Sequence, residues 1–124
     1  MPHPSEHRSA HRPLAEDEAQ ELAATLKAIG SPARLSLLTE LVETKLTVEE
    51  LASAARLSLS GTSHHLRILR DLRLVRGRRE GRHVRYELYD HHIAELLAAI
   101  RHHREHVYPP APTELPRRRA RASA

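Results

Sequence analysis

The chain contains no cysteine, no phenylalanine and no tryptophan. Without cysteine there is no disulfide, no thiolate metal ligand and no thiol nucleophile. Without Phe or Trp the core must be packed from Leu, Ile, Val and Ala, with Tyr86, Tyr89 and Tyr108 as the only larger rings. A small aliphatic core buries limited apolar area. A single domain of 124 residues built this way is expected to be marginal as a monomer, and dimerisation is one remedy. No apolar run is long enough for a signal peptide or a membrane span, which makes the cytoplasm the default location. A Gly-rich phosphate loop is also missing, as is any Ser or Cys nucleophile setting or a general base beside an open metal position. Catalysis is therefore disfavoured.

What is present is charge, unevenly spread. The net charge is only +4, but eight arginines fall between Arg67 and Arg85, opposed there by Asp71 and Glu80 alone. Acidic residues dominate Glu16–Glu21 and Glu40–Glu50 instead. A basic block beside an acidic remainder suggests a polyanionic partner.

Residues 1–13 are rich in Pro and His and lack apolar periodicity, so they read as a flexible tail. The Pro- and Arg-rich residues 109–124 read the same way, which leaves 14–108 as the folded domain. Within it Leu22, Leu26 and Ile29 keep helical spacing up to Gly30. Ser31-Pro32 restarts a helix whose face carries Leu35, Leu38, Leu41 and Val42. Thr47 and Glu50 form a capping box ahead of Val48, Leu51, Ala52 and Ala55. Ser58 caps a fourth helix bearing Leu66, Leu69 and Leu72. The period then changes to two: Val84, Tyr86 and Leu88 alternate with Arg85 and Glu87, and Glu80-Gly81 supplies the preceding turn. A last helix from about Asp90 carries Ile93, Leu96, Leu97 and Ile100 inward. The fold expected is mainly α with a β-hairpin, in the order ααααββα: a winged helix-turn-helix.

The fourth helix opens on short polar side chains: Ser58, Ser60, Thr62, Ser63, His64 and His65. Base edges in a groove call for compact donors and acceptors of this kind, whereas phosphates call for arginine and helix N-termini. Ser60–His65 are accordingly expected to read double-stranded DNA in the major groove, and Ser58 to present the helix start. Arg67 and the hairpin arginines Arg78, Arg79 and Arg82 are expected on the backbone or the minor groove.

Eleven histidines are many for this length. In the last helix they fall as Asp90-x-His92 and His103-x-x-His106. His92 and His103 share a face, but eleven residues of helix rise about 16 Å, so one ion cannot reach both on one straight helix. Each pair supplies two donors where a closed zinc site wants four. Two such helices packed antiparallel across a two-fold axis would bring Asp90 and His92 of one copy against His103 and His106 of the other. Ile93, Leu96, Leu97 and Ile100 would then form the seam. His91 and His102 are less well placed. Four N/O donors favour Zn(II), and six would favour Ni(II) or Co(II). His3 in the tail could add a donor, as could His7 and His11.

Three motifs together resemble the ArsR/SmtB family of metal-responsive repressors: Ser-Pro-Ala-Arg-Leu, then Ser-His-His-Leu-Arg-Ile-Leu, then Gly-Arg-x-x-x-Tyr in the hairpin. The resemblance spans about residues 20–107. It implies a homodimer that occupies a palindromic operator until an inducer binds. The last-helix spacing is similar to that of the family's zinc and cobalt/nickel sensors, which implies Asp90, His92, His103 and His106 as ligands. The family's arsenic, cadmium and lead sensors use cysteines in or near the third helix. This chain has Glu50-Leu51-Ala52-Ser53-Ala54 there, so thiolate sensing is excluded. A regulator of the same fold with no metal inducer remains the alternative.

Overall fold

A computed structural model describes residues 12–111. Five helices and one hairpin follow in the expected order: α1 (Glu16–Ile29), α2 (Pro32–Glu40), α3 (Val48–Ala55), α4 (Leu59–Asp71), β1 (Val75–Glu80), β2 (His83–Leu88) and α5 (His91–Val107). No helix of the described residues is long and apolar enough to cross a membrane. His3, His7, His11 and most of both expected tails lie outside the described residues.

The helix starts follow from capping chemistry. Ser31 accepts from the Arg34 amide at 3.3 Å, with Pro32 at the first helical position. Thr47 and Glu50 close a reciprocal box, the Thr47 amide donating to Glu50 Oε1 at 2.8 Å and the Glu50 amide to Thr47 Oγ1 at 3.2 Å. Ser58 Oγ accepts from the Gly61 amide at 3.0 Å, and Asp90 Oδ1 from the His92 amide at 3.0 Å. Helix α1 has no side-chain cap but opens on Glu16, Asp17 and Glu18, which suit the positive end of its dipole.

Two helix ends break the glycine habit. Arg56 and Arg73 take left-handed φ of 58° and 57°. In each case the following leucine amide reaches back to the helix, Leu57 to Ala52 O and Leu74 to Leu69 O, both at 2.9 Å. These are Schellman closures with arginine where glycine is usual. They turn the chain sharply on both sides of α4. The leucine that follows each arginine packs onto the core, and this offsets the strain of about 1–2 kcal/mol per residue.

The core gathers Leu37, Leu38 and Leu41 against Leu51, Leu66, Leu69, Leu74, Val75, Ile93 and Leu97. Leu35 and Val42, expected on the inward face of α2, are partly exposed, and Leu37 takes their place in the core. The larger departure lies in α1 and α5. Leu22 (47% exposed), Leu26 (58%), Leu96 (37%) and Ile100 (51%) do not reach this core. Ile93 and Leu97 do, so they cannot serve as the expected intermolecular seam. All of α5 beyond Leu97 is exposed.

The strands pair antiparallel, from Val75 opposite Leu88 to Glu80 opposite His83. The turn is therefore Gly81-Arg82, one residue later than expected, with Gly81 at φ 64°. Positive φ at the first of two turn residues matches the right-handed twist of the strands. Leu46 adds a backbone bridge to the outer edge of β2 at Tyr86, which anchors the wing to the chain entering α3.

Candidate functional site: reading helix, wing and last helix

Helix α4 turns Ser60, Ser63, His64 and Arg67 outward. Spacings of three and four place them on one face. Ser58 is spent on the cap. Thr62 is a correction: it is fully buried, and its hydroxyl donates to Ser58 O at 2.8 Å. It packs the helix onto the domain and presents nothing to a groove. Gly61 also has a local cause, since a Cβ there would fall 2.8 Å from Ser58 Oγ. Leu59, overlooked in the sequence, stands exposed at the first helical position beside Ser60. An aliphatic side chain there suits a thymine methyl, the apolar group that the major groove offers.

His65 is half-buried and faces Arg34, whose Nη1 lies 3.2 Å from His65 Nδ1. Guanidinium only donates, so Nδ1 accepts and the ring proton sits on Nε2. Arg34 Nε also donates to Ala28 O at 2.7 Å. One side chain thus ties α4 to the end of α1. Arg34 carries no local signal for this role, because its partners lie 6 and 31 residues away.

Burial, the Arg34 charge and His64 all push the His65 imidazole below its ordinary value. Above pH about 6.5 the ring is neutral whether the chain is folded or not, and it contributes no pH dependence. Below that, the unfolded chain binds the proton more readily, so stability falls as pH falls. Thermal melts at pH 7.5 and 5.5 are expected to show a larger loss for the wild type than for His65→Gln. Equal losses would refute the neutral assignment.

On the wing, Arg79 and Arg82 are exposed at the tip, and among the described residues no carboxylate lies within ion-pair distance of them. Arg78 differs: Glu87 holds it, together with Arg76 at 3.0 Å. Arg85 lies between Glu50 at 3.4 Å and Glu80 at 3.3 Å.

The proposed metal ligands fall into two separated pairs. Asp90 caps α5, and its Oδ1 is 3.3 Å from His92 Nδ1. Burial pushes the Asp90 carboxyl up, but hydrogen bonds from the His92 ring and amide outweigh it and hold it below the usual range. His91 stacks on His92 at 4.5 Å and turns to Glu95 instead, with Nε2 3.2 Å from Oε1. His103 and His106 lie three residues apart in the exposed end of α5. Among the described residues no three His, Asp or Glu side chains gather closely enough to hold an ion. The donors are nitrogen and oxygen throughout, which fits borderline divalent metals.

Comparison with known proteins agrees with this architecture. Residues 31–76, from the α2 cap to β1, match the model of the arsR family of bacterial regulatory proteins. The chain is 45% identical over 96 residues to the HTH-type transcriptional regulator NmtR of Mycobacterium tuberculosis, covering 77% of this chain and 80% of that one. The solution structure of apo-NmtR superposes with a TM-score of 0.66, covering 81% and 84% of the two chains. A transcriptional repressor SmtB homolog from Synechocystis is 44% identical over 87 residues, 70% of this chain and 66% of its own. The homodimeric winged helix-turn-helix domain Mb0332 of Mycobacterium bovis is 28% identical at a TM-score of 0.66, covering 79% of this chain and 97% of that one. With the helix-turn-helix and wing in place and relatives at this identity and coverage, the chain belongs to the ArsR/SmtB family: a DNA-binding transcriptional regulator, not an enzyme.

Proposed function

We propose that the protein is a repressor that occupies a palindromic operator as a homodimer and leaves it when Zn(II) binds between the last helices of the two copies. The observation that carries this reading is the ligand pattern on α5: two donor pairs, each incomplete, flanking the exposed Leu96 and Ile100. Asp90 and His92 of one copy and His103 and His106 of the other would hold the ion. By symmetry two ions would bind, and together they would cross-link the two α5 helices at both ends. Ser60, Ser63 and His64 would contact base edges, and Arg67, Arg79 and Arg82 the phosphates. The spacing of the two α4 helices then depends on how the α5 helices pack, and a dimer fits two successive grooves at only one spacing.

Release requires that metal bind the free dimer more tightly than the DNA-bound one, and DNA must weaken metal binding equally. A coupling in the ordinary range lowers operator affinity about 5–150-fold. The test is an anisotropy titration of an operator duplex with and without Zn(II), Ni(II) and Co(II). Identical affinity under all conditions would sink the proposal. The Co(II) spectrum chooses the metal class. Intense d–d bands indicate four donors and a zinc site. Weak bands indicate six donors, hence a Ni(II)/Co(II) sensor that recruits further ligands such as His3.

A further inference from the structure

Five arginines lie on the wing: Arg76, Arg78, Arg79, Arg82 and Arg85. If all of them met phosphate, most of the binding energy would be indifferent to sequence. The wing does not leave them all free. Glu87 Oε2 accepts from Arg76 Nε at 3.0 Å and from Arg78 Nε, while its Oε1 lies 3.7 Å from Lys45 Nζ. One carboxylate thus faces three cations from two parts of the chain. Its side chain is only 16% exposed, whereas the three cations are 44–53% exposed. The acid sits below a rim of basic groups that DNA could otherwise reach.

We propose that Glu87 is a specificity-determining residue: it withholds Arg76, Arg78 and Lys45 from the DNA backbone and confines phosphate contact on the wing to the tip arginines Arg79 and Arg82. The carboxyl stays ionised to do this. Burial pushes it up, but Arg78, Arg76 and Lys45 together hold it below the usual carboxylate range. Wing stability alone does not account for the cluster. Ion pairs with exposed partners add little to stability. The hairpin is already held by its ladder, by the Leu46 bridge and by buried Val75. Arg85 follows the same plan, between Glu50 and Glu80. Each phosphate that is not neutralised removes a contribution common to every sequence, while the base contacts of α4 are kept. The ratio of operator to non-operator affinity rises as a result.

The test uses the full chain with Glu87→Gln, which keeps the side-chain volume and removes the charge. Two duplexes serve as probes: one selected from a random library by the wild type, and one unselected. Affinity for each is measured across a salt series. For Glu87→Gln on the unselected duplex, the slope of log affinity against log salt should steepen by about 1 to 3, near 0.9 for each phosphate gained. The selected-to-unselected ratio should fall. Adding Arg78→Gln to Glu87→Gln should take back about one unit of slope. An unchanged slope and ratio in Glu87→Gln would overturn the proposal. So would weaker binding to both duplexes with a lowered melting temperature, since that is the signature of a purely structural residue.

Discussion

Ile100→Glu is expected to convert the protein to monomers and to cut operator affinity by about 10²- to 10⁴-fold, the avidity gained by joining two binding units. Helix α1 buries only Ala28 and Ile29, and α5 only Ile93 and Leu97. The rest of both helices projects from the core with Leu22, Leu26, Leu96 and Ile100 uncovered. Isolated helices of this length are marginal in water, and most helix stability in proteins comes from packing an apolar face. Full burial of each such side chain is worth about 1.5–3 kcal/mol. A second copy would supply that burial, and each contact would occur twice. A glutamate at position 100 would place two like charges in the same desolvated seam. Sedimentation velocity and anisotropy on the same sample check the two halves of the prediction. A variant that sediments as a dimer and binds like the wild type would remove α5 from the interface.

Much of the fold is legible because capping chemistry is local. Ser31-Pro32, Thr47 with Glu50, Ser58 and Asp90 each start a helix where the sequence places them. The closures at Arg56 and Arg73 are not legible, because no glycine marks them. They are held by leucines that pack far along the chain. Helical periodicity shows that Leu22, Leu26, Leu96 and Ile100 lie on apolar faces. It cannot say whether a face meets its own core or another chain, and the structure leaves these four outside the core. Thr62 is misread for a related reason. A hydroxyl beside Ser60 and Ser63 looks like part of the same polar face, but it satisfies itself on the carbonyl four residues back and can therefore be buried. Arg34 with His65, and Lys45 with Glu87, join residues that no short window contains. That one chain cannot bring Asp90 and His92 together with His103 and His106 is legible in the sequence, because about 16 Å of helix separates His92 from His103.

The double variant His103→Ala/His106→Ala is expected to bind operator like the wild type and to lose metal-dependent release. Both imidazoles lie in the exposed end of α5, and alanine is the better helix former, so the fold is spared. Loss of a mere outer-shell partner costs about 10–100-fold in metal affinity, and loss of half the donors costs more. The complementary variant is Asp90→Asn/His92→Ala, in which asparagine keeps the helix cap. Alone it should fail in the same way. Mixing the two variants separates a shared site from a local one. In a mixed dimer, intact Asp90 and His92 come from one chain and intact His103 and His106 from the other. If the ligands are shared across the two-fold axis, one complete site is rebuilt. Co-refolded protein should then regain metal binding in its mixed-dimer fraction, at half the wild-type stoichiometry. If each chain closed its own site, every chain in the mixture would still lack half its donors. Tight binding would then not return in any fraction, and the cross-chain assignment would fail.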